Sequence, residues 1–304
     1  MPVKHFRRAK PLAAGARVAL IAPAGPLQKP EELQRAQDNT TSLGWVPVVA
    51  EHANEKTGYL AGSDRTRLKD INNALRDPAI DAVWCLRGGY GLIRILEGID
   101  YDALARTPKA VIGYSDVTAL HAAIQKNCGL ITYHGPTARE PLTEFSRDSF
   151  ERAVVEQADS CGVAHNAREI RSGSAEGRLV GGNLAVLASL CGTPYMPDLS
   201  RGILILEDIN EPVYRVDRLM QQLRLSGAID ACRAIVFGEC VQCEDSGGGR
   251  TFDELLREIA AAIDVPCMAG IPVGHIDRQW TIPLGASGYV ETGSRTLTVT
   301  SYES

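Results

Sequence analysis

The sequence predicts an α/β protein, and two patterns carry that prediction. Through the first half, short apolar runs alternate with amphipathic helical stretches, and the second half repeats the alternation before ending in a hairpin. A third observation divides the chain: charged and small residues dominate between Thr137 and Gly177. A length of 304 residues is about twice that of an ordinary domain. Two domains are therefore expected, over 1–140 and 175–304, with a connection over 141–174.

The first half opens with an apolar strand at 18–22, a helical stretch from Pro30 toward Gly44 and a second strand at 45–49. Ser63 is placed to cap a helix whose Leu68, Ile71 and Leu75 share one face, and a strand at 82–86 follows. Another strand, 110–112, runs into a helix carrying Val117, Leu120 and Ile124 at the same spacing. Strands that alternate with helices imply a parallel sheet. Between 137 and 177 no strand is evident, and one modest helix is expected at 149–157.

In the second half, Gly181 and Gly182 precede Asn183 and an apolar helical stretch, and a strongly apolar strand follows at 203–206. A helix with Val216, Leu219, Met220 and Leu223 on one face leads to a strand at 234–237. Thr251 and Glu254 have the spacing of a capping box. Segments 289–291 and 296–299 flank Gly293 as a hairpin, so this half is expected to hold a mixed sheet.

Composition narrows the function classes. The 37 acidic and 32 basic residues are interspersed and leave a net charge of -5, which argues against nucleic acid as a partner. The basic cluster between Lys4 and Lys10 is followed by a stretch broken by Arg17 and Pro23, so it reads as a cytoplasmic start rather than a signal peptide. No uninterrupted apolar run reaches the ~18 residues of a membrane helix. The eight cysteines are scattered, often within apolar runs, and read as reduced core residues. Cys240 and Cys243 form a C-x-x-C without a second pair or a neighbouring histidine, which does not make a metal site.

In a parallel sheet, ligands collect where strands run out into loops. Ser115, in Gly113-Tyr114-Ser115-Asp116, stands where a strand meets a helix; it is either a helix cap or a hydroxyl nucleophile beside free N–H groups. The hydrolase pattern G-x-S-x-G is absent, because Asp116 interrupts it. The loop Arg87-Gly88-Gly89-Tyr90-Gly91 lacks the lysine of a phosphate-binding loop, and its glycines suit close approach of a backbone N–H to a substrate carbonyl. Glu207 and His275 each follow an apolar run and are each read as a strand end. Taken singly, the glutamate reads as solvated or paired with Arg215 or Arg218, and the histidine as structural. Together with Ser115 they are the three groups that nucleophilic catalysis by a hydroxyl requires.

The runs RGGYG at 87–91, IGYSD at 112–116, YHGP at 133–136, LEDINEPVYRVDR at 206–218 and IPVGH at 271–275 resemble the serine peptidases called LD-carboxypeptidases, with the related microcin C self-immunity peptidases. The resemblance runs from about Arg17 to Thr298. It implies a Rossmann-like, class I amidotransferase-like N-terminal domain, a smaller mixed α/β C-terminal domain of barrel character, and a homodimer. Carried over residue by residue, it makes Ser115 the nucleophile, His275 the base and Glu207 its orienting carboxylate. The oxyanion donors fall on the N–H groups of Gly89 and Asp116, with Gly88 the alternative to Gly89. No metal or organic cofactor is implied.

The murein branch of that family cleaves between the L-centre of meso-diaminopimelate or lysine and a terminal D-alanine, which suits cytoplasmic cell-wall recycling. The microcin branch, cleaving an aminoacyl-nucleotide amide, and a catalytically silent binding module are the alternatives. Asn183, Arg139 and Tyr133, read as loop residues, are candidates to grip the substrate carboxylate.

Overall fold

The computed structural model describes residues 6–243 and 249–303 as two sheets flanked by helices. Residues 4 and 5 of the basic cluster lie outside the described residues. Strands and helices alternate as the periodicity predicts: β1 (Arg17–Ile21), α1 (Glu31–Ser42), β2 (Val46–Val49), α2 (Asp64–Arg76), β3 (Ala82–Cys85), α3 (Tyr101–Arg106), β4 (Ala110–Gly113), α4 (Thr118–Cys128) and β5 (Thr132–His134). The side chain of Ser63 caps α2 by accepting from the Thr66 N–H. β3 is buried along its whole length, as a central strand covered on both faces should be.

The second half continues with α5 (Glu144–Glu151), β6 (Gly162–Val163), β7 (Arg168–Arg171), β8 (Ser174–Asn183), α6 (Leu184–Ser189), β9 (Gly202–Ile209), α7 (Val213–Leu225), β10 (Ala234–Val241), α8 (Phe252–Ile263), β11 (Cys267–Ala269), β12 (Ile282–Leu284), β13 (Ser287–Glu291) and β14 (Thr296–Ser301). Thr251 and Glu254 close their capping box on α8. The segment 141–174 is more structured than its composition implies: it holds α5, a π-helical turn over 152–156, β6 and β7. β6 and β7 are the two edges of the second sheet, and short edge strands are exposed and polar, so they carry no apolar signal.

In the first sheet the strands lie in the order β12-β5-β4-β3-β1-β2, parallel from β2 to β5, with β12 antiparallel to β5. The parallel part has the strand order 2-1-3-4-5, which reverses between β1 and β3. In the second sheet the order is β6-β14-β13-β8-β9-β10-β11-β7; β8 to β11 are parallel and the outer strands antiparallel. The halves interlock, since β12 belongs to the C-terminal half yet completes the first sheet.

A second junction lies where β8 meets α4. A Cβ on Gly182 would stand 2.5 Å from Thr118 Oγ1, and the next residue, Asn183, donates its N–H to that hydroxyl at 2.9 Å. Only glycine allows this approach, and it brings the C-terminal ends of β8 and β9 against the start of α4. Among the described residues, no helix is long and apolar enough to cross a membrane.

Candidate active site

Ser115 stands two residues past β4, on a 3-10 turn that leads into α4. Its φ of +65° is left-handed, a conformation that costs a non-glycine residue about 1 kcal/mol or more. Its hydroxyl does not cap the helix, as the bland reading of a serine at this place requires. Instead Ser115 Oγ lies 3.2 Å from His275 Nε2, and His275 Nδ1 lies 2.9 Å from Glu207 Oε2. With Nδ1–H donated to the carboxylate, Nε2 is free to accept the hydroxyl proton.

Glu207 is fully buried and sits inside β9, two residues before its end, so the expectation of a solvated strand-end glutamate does not hold. Arg215 pairs with Glu211 and Arg218 stacks on Tyr214, so neither takes up Glu207. Its other oxygen accepts from Asn183 Nδ2 at 3.2 Å, across the β8–β9 register pair. His275 is likewise not at a strand end: β11 stops at Ala269, and the histidine lies in the loop beyond it. Burial favours the neutral imidazole, but the hydrogen bond and charge of Glu207, helped by Glu140 and Asp208, outweigh it and hold the His275 pKa above its ordinary value near 6.5.

The glycine-rich loop closes one side of the site. Gly88 is in contact with Ser115, since a Cβ there would lie 2.8 Å from Ser115 Cβ and 3.1 Å from Oγ. Its carbonyl accepts from Gly25 N–H at 3.0 Å, joining the loops after β1 and β3 at the sheet's reversal point. Among the described residues the Gly89 N–H has no acceptor. Asp116 ties this loop to the serine turn, because its buried carboxylate accepts the Leu92 N–H at 2.9 Å. Buried Arg67 donates to Pro23 and Gly91 carbonyls from α2 and braces both loops from behind.

Opposite the loop, the Tyr114 ring packs edge-on against His275 with centroids 4.9 Å apart, and its hydroxyl donates to Glu140 at 2.7 Å. Tyr114, Pro136, Glu140, Pro141, His275, Ile276, Asp277 and Gln279 line a cleft of about 140 Å³. Behind Tyr114 lies His134, whose two ring nitrogens have no partner among the described residues; burial lowers its pKa to about 4.

The three expected substrate contacts fare differently. Tyr133 is not in a loop: it lies on β5, 1% exposed, within the core. Asn183 is buried and its amide is fully engaged, donating to Glu207 and Asp208 while its oxygen caps α6 through the Val186 N–H. Arg139 is half-exposed and pairs with Glu32 at 2.6 Å. Asp208, Tyr114 and Arg67 were not singled out by their own residue types, whereas Gly88 belongs to the glycine-rich loop read as a source of an oxyanion donor. Asp208 and Tyr114 stand next in sequence to Glu207 and Ser115, and that adjacency was the available signal.

A hydroxyl on a strained strand-to-helix turn, reached by an imidazole that a buried carboxylate orients, defines a serine hydrolase on an α/β scaffold. Two family models match the chain, LD-carboxypeptidase N-terminal domain over residues 18–135 and LD-carboxypeptidase C-terminal domain over 176–290. The chain belongs to the LD-carboxypeptidase family, and it is a serine carboxypeptidase. It is 35% identical over 288 residues to the murein tetrapeptide carboxypeptidase of Pseudomonas aeruginosa, covering 90% of this chain and 93% of that one. Among solved structures it is similar to the muramoyltetrapeptide carboxypeptidase of Oxalobacter formigenes, at 30% identity and a TM-score of 0.83, over 93% and 97% of the two chains. It is also similar to the microcin C7 self-immunity protein, solved in complex with aspartyl sulfamoyl adenosine, at 26% identity and a TM-score of 0.87, over 96% and 98%.

Proposed function

We propose that this protein hydrolyses the L,D bond between meso-diaminopimelate or L-lysine and the terminal D-alanine of murein tetrapeptides, with Ser115 as nucleophile, His275 as base and Glu207 as its orienting carboxylate. The observation that carries this reading is the continuous chain from Ser115 Oγ to His275 Nε2 and from Nδ1 to Glu207, at 3.2 and 2.9 Å. The imidazole removes the hydroxyl proton as Oγ attacks the scissile carbonyl, and Glu207 stabilises the imidazolium that forms. The N–H groups of Gly89 and Asp116 receive the developing oxyanion, with the Gly88 N–H as the alternative to Gly89; neither glycine N–H is engaged by another group among the described residues. His275 then returns its proton to the leaving nitrogen, and water attacks the acyl-serine by the same route in reverse.

The similarity to two carboxypeptidases named for murein peptides supports the choice of substrate. The likeness to the microcin C7 self-immunity protein favours, as a second reading, an aminoacyl-nucleotide amide. The strand order 2-1-3-4-5 of the first sheet supports its Rossmann-like reading. The barrel character of the second half, a homodimeric state and a cytoplasmic setting belong to the same proposal. Mass spectrometry of products from murein tri-, tetra- and pentapeptides, beside an aminoacyl sulfamoyl adenylate, tests it. D-alanine release confined to the tetrapeptide is expected, and turnover of the adenylate alone would overturn the murein reading.

A further inference from the structure

We propose that Arg87 is the receptor for the free α-carboxylate of the substrate's C-terminal residue, an inference that rests on the carboxypeptidase reading above. Arg87 immediately precedes Gly88, the residue in contact with Ser115. The guanidinium is half-buried and lies over the junction of the two loops, its Cζ 3.8 Å from where a Gly25 Cβ would stand. Its Nη1 donates to the Pro26 carbonyl at 2.6 Å. A guanidinium carries five N–H donors in a planar fork, and among the described residues no carboxylate lies within ion-pairing distance of this one.

The surroundings sharpen the imbalance. Arg139 is close enough to act on Arg87, whose pKa is pushed down first by burial and then by that second positive charge. The two nearby carboxylates are already engaged. Glu32 accepts from Arg139 Nη1 at 2.6 Å and from the Gln28 and Lys29 N–H groups, while Glu140 accepts from the Tyr114 hydroxyl and the Thr137 N–H. Arg139 Nε is itself buried with no acceptor among the described residues. Two neighbouring guanidiniums with spare donors and no free counter-ion, one residue from the serine contact, form a receptor for a planar anion. A carboxypeptidase substrate presents such a group beside its scissile bond, and an internal peptide bond does not. The pair thus accounts for exopeptidase selectivity.

The test compares wild type, Arg87→Gln and Arg87→Lys on a murein tetrapeptide and on the same peptide ending in D-alanine amide. A bidentate charged contact predicts that wild type favours the acid by about 10- to 100-fold in kcat/KM. Arg87→Gln loses that factor on the acid, mainly through KM, and is little changed on the amide. Arg87→Lys recovers part of it. Equal losses on both substrates would make Arg87 only a brace for the Pro26 loop and overturn the proposal, as would an unchanged preference for the acid. Wild type that turns over neither peptide refutes the murein reading itself, and the proposal with it.

Discussion

Replacing Gly88 by alanine tests the geometry at the reacting serine through one added carbon. Gly88 does not have a positive φ, so alanine is tolerated by the backbone and the effect is steric. The new Cβ would lie 2.8 Å from Ser115 Cβ and 3.1 Å from both Ser115 Oγ and the Tyr114 carbonyl. Carbon atoms pack at roughly 3.5–4.0 Å, so the closest contact is short by about 0.7–1.2 Å. None of these atoms is the free end of a long side chain. Gly88 is pinned by Gly25, and Ser115 Cβ is one bond from a backbone already held at a φ of +65°.

The serine must therefore move. A displacement of that size carries Oγ beyond hydrogen-bond reach of His275, because the present 3.2 Å leaves little margin. Misplacement by ~1 Å lowers kcat about 10²-fold, whereas overpacking costs about 1–3 kcal/mol of stability and only a few degrees of Tm. The assay is D-alanine release at several tetrapeptide concentrations, with a thermal melt of the same preparation. A folded variant whose kcat stays within about threefold of wild type would refute the reasoning.

Three further perturbations probe the base and its support. kcat/KM should fall as pH drops, because protonated His275 cannot accept the serine proton, and the raised pKa places that acid limb above about 6.5. Glu207→Gln removes the charge that raises it, so the limb moves down and kcat drops by about 10⁴-fold; an unmoved limb in the pH–rate profile contradicts the assignment. Asn183→Ala strips a donor from both Glu207 and Asp208 and the cap from α6, which costs about 2–4 kcal/mol in urea unfolding at pH 8. Asp208 titrates near 6 in the folded protein, above its usual 3.8, chiefly through burial. Burying its charge therefore penalises the native state above pH 6, and the penalty is relieved as pH falls toward 4. The Asn183→Ala loss should be smaller at pH 5 than at pH 8, and equal losses would show that Asp208 is not involved.

The parallel core was legible because its central strands are buried on both faces and its helices keep a 3.6-residue period, as at Ile71 and Leu75 of α2. β8 was not, although it has ten residues, because Gly177, Gly181 and Gly182 within it read as a loop. Their absent side chains are a tertiary requirement: a Cβ at Gly181 would stand 2.0 Å from the Ile205 carbonyl oxygen, and one at Gly182 would strike Thr118. β12 escaped notice because Pro283 sits in its middle and its three residues take their partner from β5, far away in sequence. Ser115, Glu207 and His275 were found through ordered motifs, and distance in space was beyond any spacing rule. Asn183 and Tyr133 were both read as loop residues, yet Asn183 caps α6 and Tyr133 lies inside a sheet.

Replacing Ser115 by alanine addresses the central claim most directly. The variant loses only a hydroxyl and relieves no buried charge, so it should melt within a few degrees of wild type. D-alanine release from the murein tetrapeptide should fall to the background of the assay. A folded Ser115→Ala protein that still released D-alanine at a rate comparable to wild type would contradict the account at its root, because no step of the proposed mechanism proceeds without that oxygen.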